Sequence, residues 1–128
     1  MKKTLLIILL LIVGCSKPIN DKNLIHKDGL KYHPDTKKLY SGKVFKNRID
    51  GKKEFEGSYK NGKMNGLVTH YFDNGRKYFE ATYKNGKKDG LATSWYRNGQ
   101  KRYEENYKEG KLISDKCWDE DGNEKECD

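Results

Sequence analysis

Aromatic residues and glycines recur along the chain with a period of 24 residues. Tyrosines stand at positions 59, 83 and 107, and three further sets of glycines keep the same spacing. A fixed period of this length is the sequence signature of stacked structural repeats. The glycine sets are Gly62, Gly86 and Gly110, then Gly42, Gly66 and Gly90, then Gly51, Gly75 and Gly99.

Each repeat predicts two antiparallel strands separated by turns. Asn-Gly pairs, as at 61–62 and 74–75, favour two-residue hairpin turns because both residues accept a positive φ. The predicted strands run over 63–73 and 76–84, and the first is two residues longer. Gly66 lies inside it, so a bulge there is predicted to absorb the difference. The predicted fold class is all-β, an elongated antiparallel meander of stacked β-hairpins.

Alternation along each strand assigns side chains to two faces of the predicted sheet. One face is predicted to be strongly aromatic, and the other to mix charged and apolar residues. The predicted aromatic face holds Phe55, Tyr59, Leu67, Thr69, Tyr71, Phe79, Ala81, Tyr83, Leu91, Thr93, Trp95, Tyr103 and Tyr107. The predicted mixed face holds Glu56, Val68, Phe72, Arg76, Glu80, Tyr96, Arg102 and Glu104.

Glu56, Glu80 and Glu104 keep the 24-residue period. Equivalent residues of successive repeats lie two strands apart, which is roughly 9–10 Å. That distance is too long for a shared proton or a common metal ion. We expect neighbouring lysine or arginine side chains to neutralise these carboxylates.

The stretches "NGKMNG" and "NGKKDG", each followed by an aromatic pair and another "NG", resemble MORN repeats in their bacterial variant form. The opening "NLIHKDGLKYHPDTKKLYSGKV" is similar to the start of such proteins. The resemblance covers about 24–128 and implies a β-sheet that serves as a protein- or membrane-interaction module. Many bacterial members are labelled antitoxins of toxin–antitoxin systems, which fits poorly with an exported chain.

The first fifteen residues predict export and lipid anchoring. Lys2 and Lys3 precede ten apolar residues, Thr4–Val13. A bilayer span needs about 20, so this run is typical of a secretory signal. The sequence Ile-Val-Gly-Cys that ends at Cys15 resembles a bacterial lipobox, whose cysteine sulfur receives diacylglycerol. The alternative is an ordinary signal peptide or a membrane-anchored helix with a chance cysteine.

We therefore expect a lipoprotein signal peptide over 1–14, a flexible tether over 15–23 and a MORN-type repeat domain over 24–128. The expected location is the bacterial cell envelope, with the chain anchored by lipid at Cys15. Ser16-Lys17 lacks the aspartate that marks inner-membrane retention. The outer membrane is therefore favoured where one exists.

The formal net charge of +8 favours anionic surfaces such as lipid headgroups or acidic envelope polymers. A nucleic-acid partner is not expected, because the signal directs the chain out of the cytoplasm. The lysines are spread through the repeats and mixed with acidic residues. Solvated strand faces are therefore the plainer interpretation of the charge.

The last repeat departs from the pattern. Ser114 replaces the expected glycine, and the turn at 121–122 comes one residue early. Cys117 and Cys127 lie five residues on either side of Gly122. Outside the cytoplasm such a pair predicts a disulfide across the final hairpin. Two free thiols or a redox pair are the alternatives.

Catalytic chemistry requires convergent groups, which the sequence does not suggest. His26, His33 and His70 lack spaced acidic or cysteine partners, and His70 is expected to be a solvated strand residue. Neither a metal-ligand cluster nor a phosphate-binding loop is found in the sequence. We therefore expect no enzymatic activity, no cofactor and no metal.

The leading functional hypothesis is an envelope lipoprotein whose sheet acts as a protein-interaction or scaffold module. Tyrosine and tryptophan dominate binding hot spots, and the alternative is that these aromatic residues form the core. A membrane-tethered antitoxin or immunity-like protein that neutralises a toxin is one alternative function, and an anionic-lipid surface binder is another. The candidate partner contacts are Tyr71, Tyr83, Trp95, Tyr96 and Tyr107.

Overall fold

The computed structural model describes residues 16–128. Residues 1–15, which hold the predicted signal peptide and Cys15, lie outside the described residues. Within 16–128 the secondary structure is β apart from a 3-10 turn, Asp21–Asn23. The strands are β1 Ile19–Asn20, β2 Ile25–Lys27, β3 Leu30–Tyr32, β4 Gly42–Asn47, β5 Lys53–Lys60, β6 Lys63–Met64, β7 Gly66–Tyr71, β8 Lys77–Lys84, β9 Lys87–Trp95, β10 Lys101–Lys108, β11 Lys111–Trp118 and β12 Glu124–Lys125.

Successive strands lie side by side in one sheet. Its order is β1-β4-β5-β7-β8-β9-β10-β11-β12, with β6 also paired to β5. β1 runs parallel to β4, and the remaining pairs are antiparallel. β2 and β3 form a separate hairpin. The predicted all-β meander of consecutive hairpins is therefore confirmed.

The Asn-Gly turns are of two kinds, and the sequence predicted only one. Asn61, Asn85 and Glu109 each have a φ of 50° and precede a glycine of positive φ, which fits two-residue type I′ turns. Elsewhere Gly75 has a φ of 84° without a positive φ at Asn74. There the Gly75 N–H donates to the Phe72 carbonyl, as in three-residue hairpin loops with one left-handed residue.

The bulge predicted at Gly66 is confirmed by the register of the strands. Glu56 faces Thr69, whereas Tyr59 faces Met64, so two extra residues are accommodated between these pairs. In the last repeat the register shifts by a single residue, at Ile113. The bulge in β11 holds one extra residue, whereas the equivalent bulges of the earlier repeats hold two. The final turn therefore comes one residue early.

The core lies between one side of the sheet and the N-terminal segment. Val44, Phe55 and Val68 from the sheet pack with Leu24 and Tyr40 from the segment that covers them. The Tyr40 hydroxyl is satisfied by donating to the Lys43 carbonyl at 2.8 Å. The N-terminal segment thus closes the first repeat, which lacks a preceding hairpin.

The predicted assignment of side chains to faces is wrong, because it put odd-numbered residues of neighbouring strands on the same face. Val68 lies opposite Ala81, and Thr69 lies opposite Glu80. Odd-numbered residues of one strand therefore share a face with even-numbered residues of the next. The core face comprises Val44, Phe55, Val68, Ala81 and Ala92, and the open face comprises Glu56, Leu67, Thr69, Tyr71, Glu80, Leu91, Thr93, Trp95 and Glu104.

Exposure of the apolar side chains agrees with this division, whereas Thr69 and Thr93 of the open face are buried, at 3% and 6% exposure. Val68, Ala81 and Ala92 are at most 1% exposed, whereas Leu67 and Leu91 are 55% and 48% exposed. Leu67 and Leu91 are the large apolar residues of the open face that remain most accessible. The predicted single aromatic face is thus divided between the two sides of the sheet.

Candidate interaction surface

A row of alternating glutamates and threonines crosses the open face. Pairing runs from Glu56 to Thr69 to Glu80, and then to Thr93 and Glu104. The predicted two-strand separation of the glutamates is confirmed, with a threonine on the strand between them. A shared proton or metal ion between the glutamates is therefore not supported by their register.

Each glutamate of this row pairs with the lysine three residues before it. Lys53 lies 2.7 Å from Glu56, and Lys77 lies 2.5 Å from Glu80. Lys101 pairs with Glu104 in the same way. The hydrogen bond from Lys53, with a further bond from Tyr71, holds the pKa of the Glu56 carboxyl below its usual value. The expected neutralisation of these carboxylates is confirmed.

An aromatic row of Tyr71, Trp95 and Trp118 lies beside the glutamate row. Tyr71 faces Lys77, and Trp95 faces Lys101. Trp118 shares the open face because it stands two residues after Lys116, which faces Glu104. The three aromatic side chains are partly buried. Trp118 was not predicted, because the one-residue shift in the last repeat places it 23 residues after Trp95.

Lysine side chains lie beside the aromatic row and beside Leu67 of the open face. The Lys53 ammonium lies 5.9 Å from the Tyr71 ring centroid, and the Lys116 ammonium lies 5.5 Å from the Trp118 ring. Cation–π contacts of this length are weakly favourable at exposed sites. A shallow groove of about 580 Å³ continues the open face, lined by Pro18, Lys43, Phe45, Glu56, Ser58, Leu67 and Thr69 among others.

The five predicted contact residues do not form one surface. Tyr71 and Trp95 lie on the open face. Tyr83 lies on the core face opposite Gly66 and packs against the core, which is the alternative that the sequence left open. Tyr107 also lies on the core face, opposite Gly90, and its hydroxyl donates to Glu105.

Tyr96 directly follows β9 and lies beside the final hairpin. Its hydroxyl donates to the Trp118 carbonyl at 2.8 Å, and the Arg102 guanidinium lies 5.8 Å from its ring. Tyr96 therefore joins two repeats to each other. A role in contacting a partner remains a prediction for Tyr71 and Trp95.

One end of the sheet gathers exposed lysines, and we call it the lysine end. Lys60 faces Lys63, and Lys84 faces Lys87. The same arrangement recurs at Lys108 and Lys111. The turns beside these pairs are adjacent, because the Gly86 N–H donates to the Met64 carbonyl and the Gly110 N–H to the Lys88 carbonyl.

These six lysines are exposed, and none is ion-paired to a residue in 16–128. Like charges directly opposite each other destabilise a strand pair. The register therefore brings six of the lysines that are spread through the repeats to one end of the sheet, where Glu109 also lies in a turn. The sequence signal was a lysine before and after the turn glycine in "KNGK" and "KEGK", in three successive repeats.

The final hairpin brings Cys117 and Cys127 together. Their Cα atoms lie 5.3 Å apart and their sulfurs are at disulfide distance. β12 pairs with β11 only through Lys125 opposite Cys117 and Glu124 opposite Trp118. A bond between these cysteines would therefore hold a strand that has few other contacts.

The histidines do not form a reactive site. The centroids of the His70 and Phe55 rings lie 4.9 Å apart, and burial lowers the pKa of His70. It is therefore half-buried among aromatic rings, and the prediction of a solvated residue is wrong. No three histidine, cysteine or acidic side chains within 16–128 are arranged to hold a metal ion. No helix in that range is long and apolar enough to cross a membrane.

The fold and the open face define a repeat protein that presents a surface built from neighbouring hairpins. Residues 64–85 and 88–109 are similar to the MORN repeat variant, in two adjacent copies. MORN repeats form a non-catalytic module that commonly mediates protein or membrane interactions. Neither a curated protein nor a solved structure matches the chain.

Proposed function

We propose that this protein is a non-enzymatic lipoprotein of the bacterial cell envelope that binds another protein through its open face. The observation that carries the proposal is the grouping of exposed Leu67 and Leu91 with the row of Tyr71, Trp95 and Trp118. Exposed apolar side chains that are grouped on one face mark interaction sites. Tyrosine and tryptophan provide much of the binding energy at such sites.

The glutamate row gives this surface a polar stripe between two apolar rows. Its Lys–Glu pairs are solvent-accessible, and exposed pairs contribute about 0–1 kcal/mol each. Little free energy is lost when such a pair exchanges one partner for a group on another protein. The apolar rows would supply buried area, and the charged row would select the orientation of the partner.

A tether at Cys15 would determine which end of the sheet faces the membrane. β1 runs parallel to β4, so the chain approaches Ile19 from the end at which β4 begins. That end is the lysine end, because the Asn61 N–H donates to Ser41 Oγ, one residue before β4. A lipid at Cys15 would place the lysine end nearest the membrane and leave the open face accessible from the side.

Capture of the tagged full chain from cells tests the proposal. The double variant Leu67→Glu/Leu91→Glu introduces charge at exposed positions of the open face. Leu112→Glu is the matched control, because Leu112 is 49% exposed and lies on the other side of the sheet, opposite Tyr107. We expect one dominant protein with the unaltered chain and with the control, and its loss from the double variant.

Equal capture by all three chains would contradict a binding role for the open face. The identity of the captured protein separates the functional alternatives. A toxin-like partner would assign an immunity function, and an envelope protein would assign a scaffold function. Cys15→Ala is expected to release the chain from the membrane and so tests the anchor independently.

Binding to an anionic surface is the second candidate function, and the lysine end favours it. Each lysine near an anionic membrane contributes about 1 kcal/mol. Loss of two should weaken binding to phosphatidylglycerol vesicles about thirtyfold, and added salt should weaken it further. The test compares Lys63→Gln/Lys87→Gln with Lys116→Gln/Lys125→Gln, both in a Cys15→Ala chain. An equal effect of both pairs would contradict a specific lysine-end contact.

A further inference from the structure

The lysine end projects its side chains onto the open face. Lys84 stands four residues after Glu80 on β8, so both project from that face. Lys87 lies opposite Lys84 and therefore projects to the same side. The equivalent pairs keep this register relative to Glu56 and Glu104. The lysines thus form a row along one side of the open face, which we call the lysine row: Lys60, Lys63, Lys84, Lys87, Lys108 and Lys111.

The open face forms a trough between the lysine row and the aromatic row. On β8, Lys84 belongs to the lysine row and Lys77 faces Tyr71 of the aromatic row, and one residue between the two lysines is bulged. The two rows therefore lie about 20 Å apart, six residues at roughly 3.3 Å each. The floor between them holds the exposed Leu67 and Leu91, together with the buried threonines and the paired glutamates of the glutamate row.

The width of this trough fits an α-helix. A helix with its side chains is about 10–12 Å across. In a trough about 20 Å wide it would leave about 4–5 Å on either side, which lysine and aromatic side chains can bridge. A single extended chain takes up about 4.8 Å in the plane of a sheet, so it would contact one row and leave the other exposed. A helix therefore accounts for both rows.

The spacing along the trough fits a helix that lies across the strands. Leu67 is on β7 and Leu91 is on β9, and the lysine and aromatic rows also recur once for every two strands. Two strands span about 9.6 Å, and seven residues of a helix advance about 10.5 Å. The difference of about 1 Å per repeat is small over the three positions of a row. A helix whose contact residues recur every seventh position would therefore meet equivalent side chains in successive repeats.

Charge selects the chemistry of the helix. The lysine row makes no ion pair within 16–128, and its lysines face each other in pairs, which is unfavourable. Across the trough, the lysines beside the aromatic row are already paired with Glu56, Glu80 and Glu104. Carboxylates are therefore needed on one flank of the helix only. The complementary helix is acidic toward the lysine row and apolar toward the leucines and the aromatic row.

We propose that the open face binds an acidic amphipathic helix of its protein partner, laid across the strands in this trough. Carboxylates of the helix pair with the lysine row, and its apolar side chains pack on Leu67, Leu91 and the aromatic row. This binding mode rests on the proposed function, since it specifies which element of the partner meets the open face. Amphipathic helices that lay an apolar face in a groove are a recurrent mode of recognition, and opposite charges fix their orientation.

Mapping of crosslinks from two positions tests the helix. A photoreactive amino acid replaces Leu67 in one full-length chain and Leu91 in another, and both chains are irradiated in cells. Both should become joined to one segment of one protein. Because the two leucines lie about 9.6 Å apart across the strands, their attachment sites should be about seven residues apart in the partner. Acidic residues should recur in that segment.

Removal of charge tests the lysine row. Lys63→Gln/Lys87→Gln, in the chain with the photoreactive residue 91, should lower the yield of product about fivefold or more, because two exposed charge contacts are lost. Lys37→Gln/Lys38→Gln is the matched control and should leave the yield unchanged. It removes the same charge from exposed positions of the N-terminal segment, which covers the other side of the sheet.

The outcomes separate this binding mode from the proposed function. Attachment sites about three residues apart would indicate an extended or polyproline segment, which advances about 3.1–3.4 Å per residue. That result would overturn the helix, while protein binding by the open face would stand. Sites in unrelated segments, or equal yields from the two lysine variants, would also overturn it. Crosslinks to lipid alone, or no protein product from either position, would overturn both proposals.

Discussion

The Tyr71 hydroxyl donates a hydrogen bond to the Glu56 carboxylate on the neighbouring strand of the open face. This bond connects the aromatic row to the glutamate row. Burial, together with the bond to Glu56, raises the pKa of Tyr71 to about 12. The relationship is also a direct test of the register, because the sequence pattern had placed these residues on opposite faces.

Tyr71→Phe should lower the free energy of unfolding by about 1 kcal/mol, because it removes this hydrogen bond and leaves the rest of the ring in place. Tyr78→Phe is the matched control, since Tyr78 is 37% exposed and its ring, which the change keeps, packs against His70 and Phe72. Its effect should stay within about 0.5 kcal/mol. Urea denaturation of both variants measures the difference. Equal effects would contradict the importance of the Tyr71–Glu56 bond.

The pH dependence of stability should change at both ends of the scale. The pKa of Tyr71 is raised in the folded state, so its contribution is full below about pH 10 and falls as the pH rises toward 12. The pKa of Glu56 is lowered, so its contribution is present above its ordinary pKa and falls as acid protonates the folded carboxylate.

Denaturation at a series of pH values measures this effect. The difference in unfolding free energy between the unaltered chain and Tyr71→Phe should shrink above pH 10. A difference that remains constant up to pH 12 would contradict a raised pKa at Tyr71.

Two adjacent residues test the assignment of the faces. Val68 is 1% exposed on the core face, and Leu67 is 55% exposed on the open face. Val68→Ala should cost about 2 kcal/mol of unfolding free energy, because it leaves a cavity. Leu67→Ala should change it by less than about 0.5 kcal/mol. A larger cost at Leu67 than at Val68 would restore the face assignment that the sequence pattern predicted.

Two turn glycines of similar backbone conformation differ in their surroundings. Gly62 has a φ of +78°, and an added Cβ would lie 2.8 Å from Leu39 Cδ2 and 2.9 Å from the Lys31 carbonyl oxygen. Gly75 has a φ of +84° and nothing within 4 Å of an added Cβ.

Gly75→Ala should therefore cost about 1 kcal/mol, the strain of a left-handed alanine. Gly62→Ala should cost about 3 kcal/mol, because steric overlap adds to that strain. Thermal or urea unfolding of the two variants gives both values. Equal costs would show that the contact between the Gly62 turn and the N-terminal segment does not form.

Joint replacement of Cys117 and Cys127, which lie at disulfide distance, by serine should lower the unfolding free energy by about 2–3 kcal/mol. Hydrogen exchange should become faster at Glu124 and Lys125, since β12 has few other contacts. Alkylation of the unreduced, unfolded chain is the control. Labelling of both cysteines would contradict the bond.

Much of the fold follows from short stretches of sequence. Asn-Gly pairs and alternating residues determine the hairpins, and the interior Gly66 determines a bulge. The meander could therefore be predicted from the sequence alone. The assignment of side chains to the two faces could not be predicted in this way. It depends on whether an even-numbered residue of one strand lies opposite an even- or an odd-numbered residue of the next. One residue in a turn decides whether Thr69 faces Glu80 or Phe79.

The candidate surface was predicted in part for the same reason. Tyr71 and Trp95 were found because they keep the 24-residue period. Trp118 was missed because the shorter bulge at Ile113 shifts it by one residue. The lysine end could not be predicted, because it requires the type I′ turns of successive repeats to lie side by side, and that depends on how whole repeats pair.

The open face as the binding surface is tested most directly by a photoreactive amino acid at Leu91, incorporated into the full chain in cells, with Leu112 on the other side of the sheet as the reference position. The proposal predicts a crosslink from residue 91 to one dominant protein, and its absence from residue 112. The same products from both positions, or none from residue 91, would contradict a binding role for the open face.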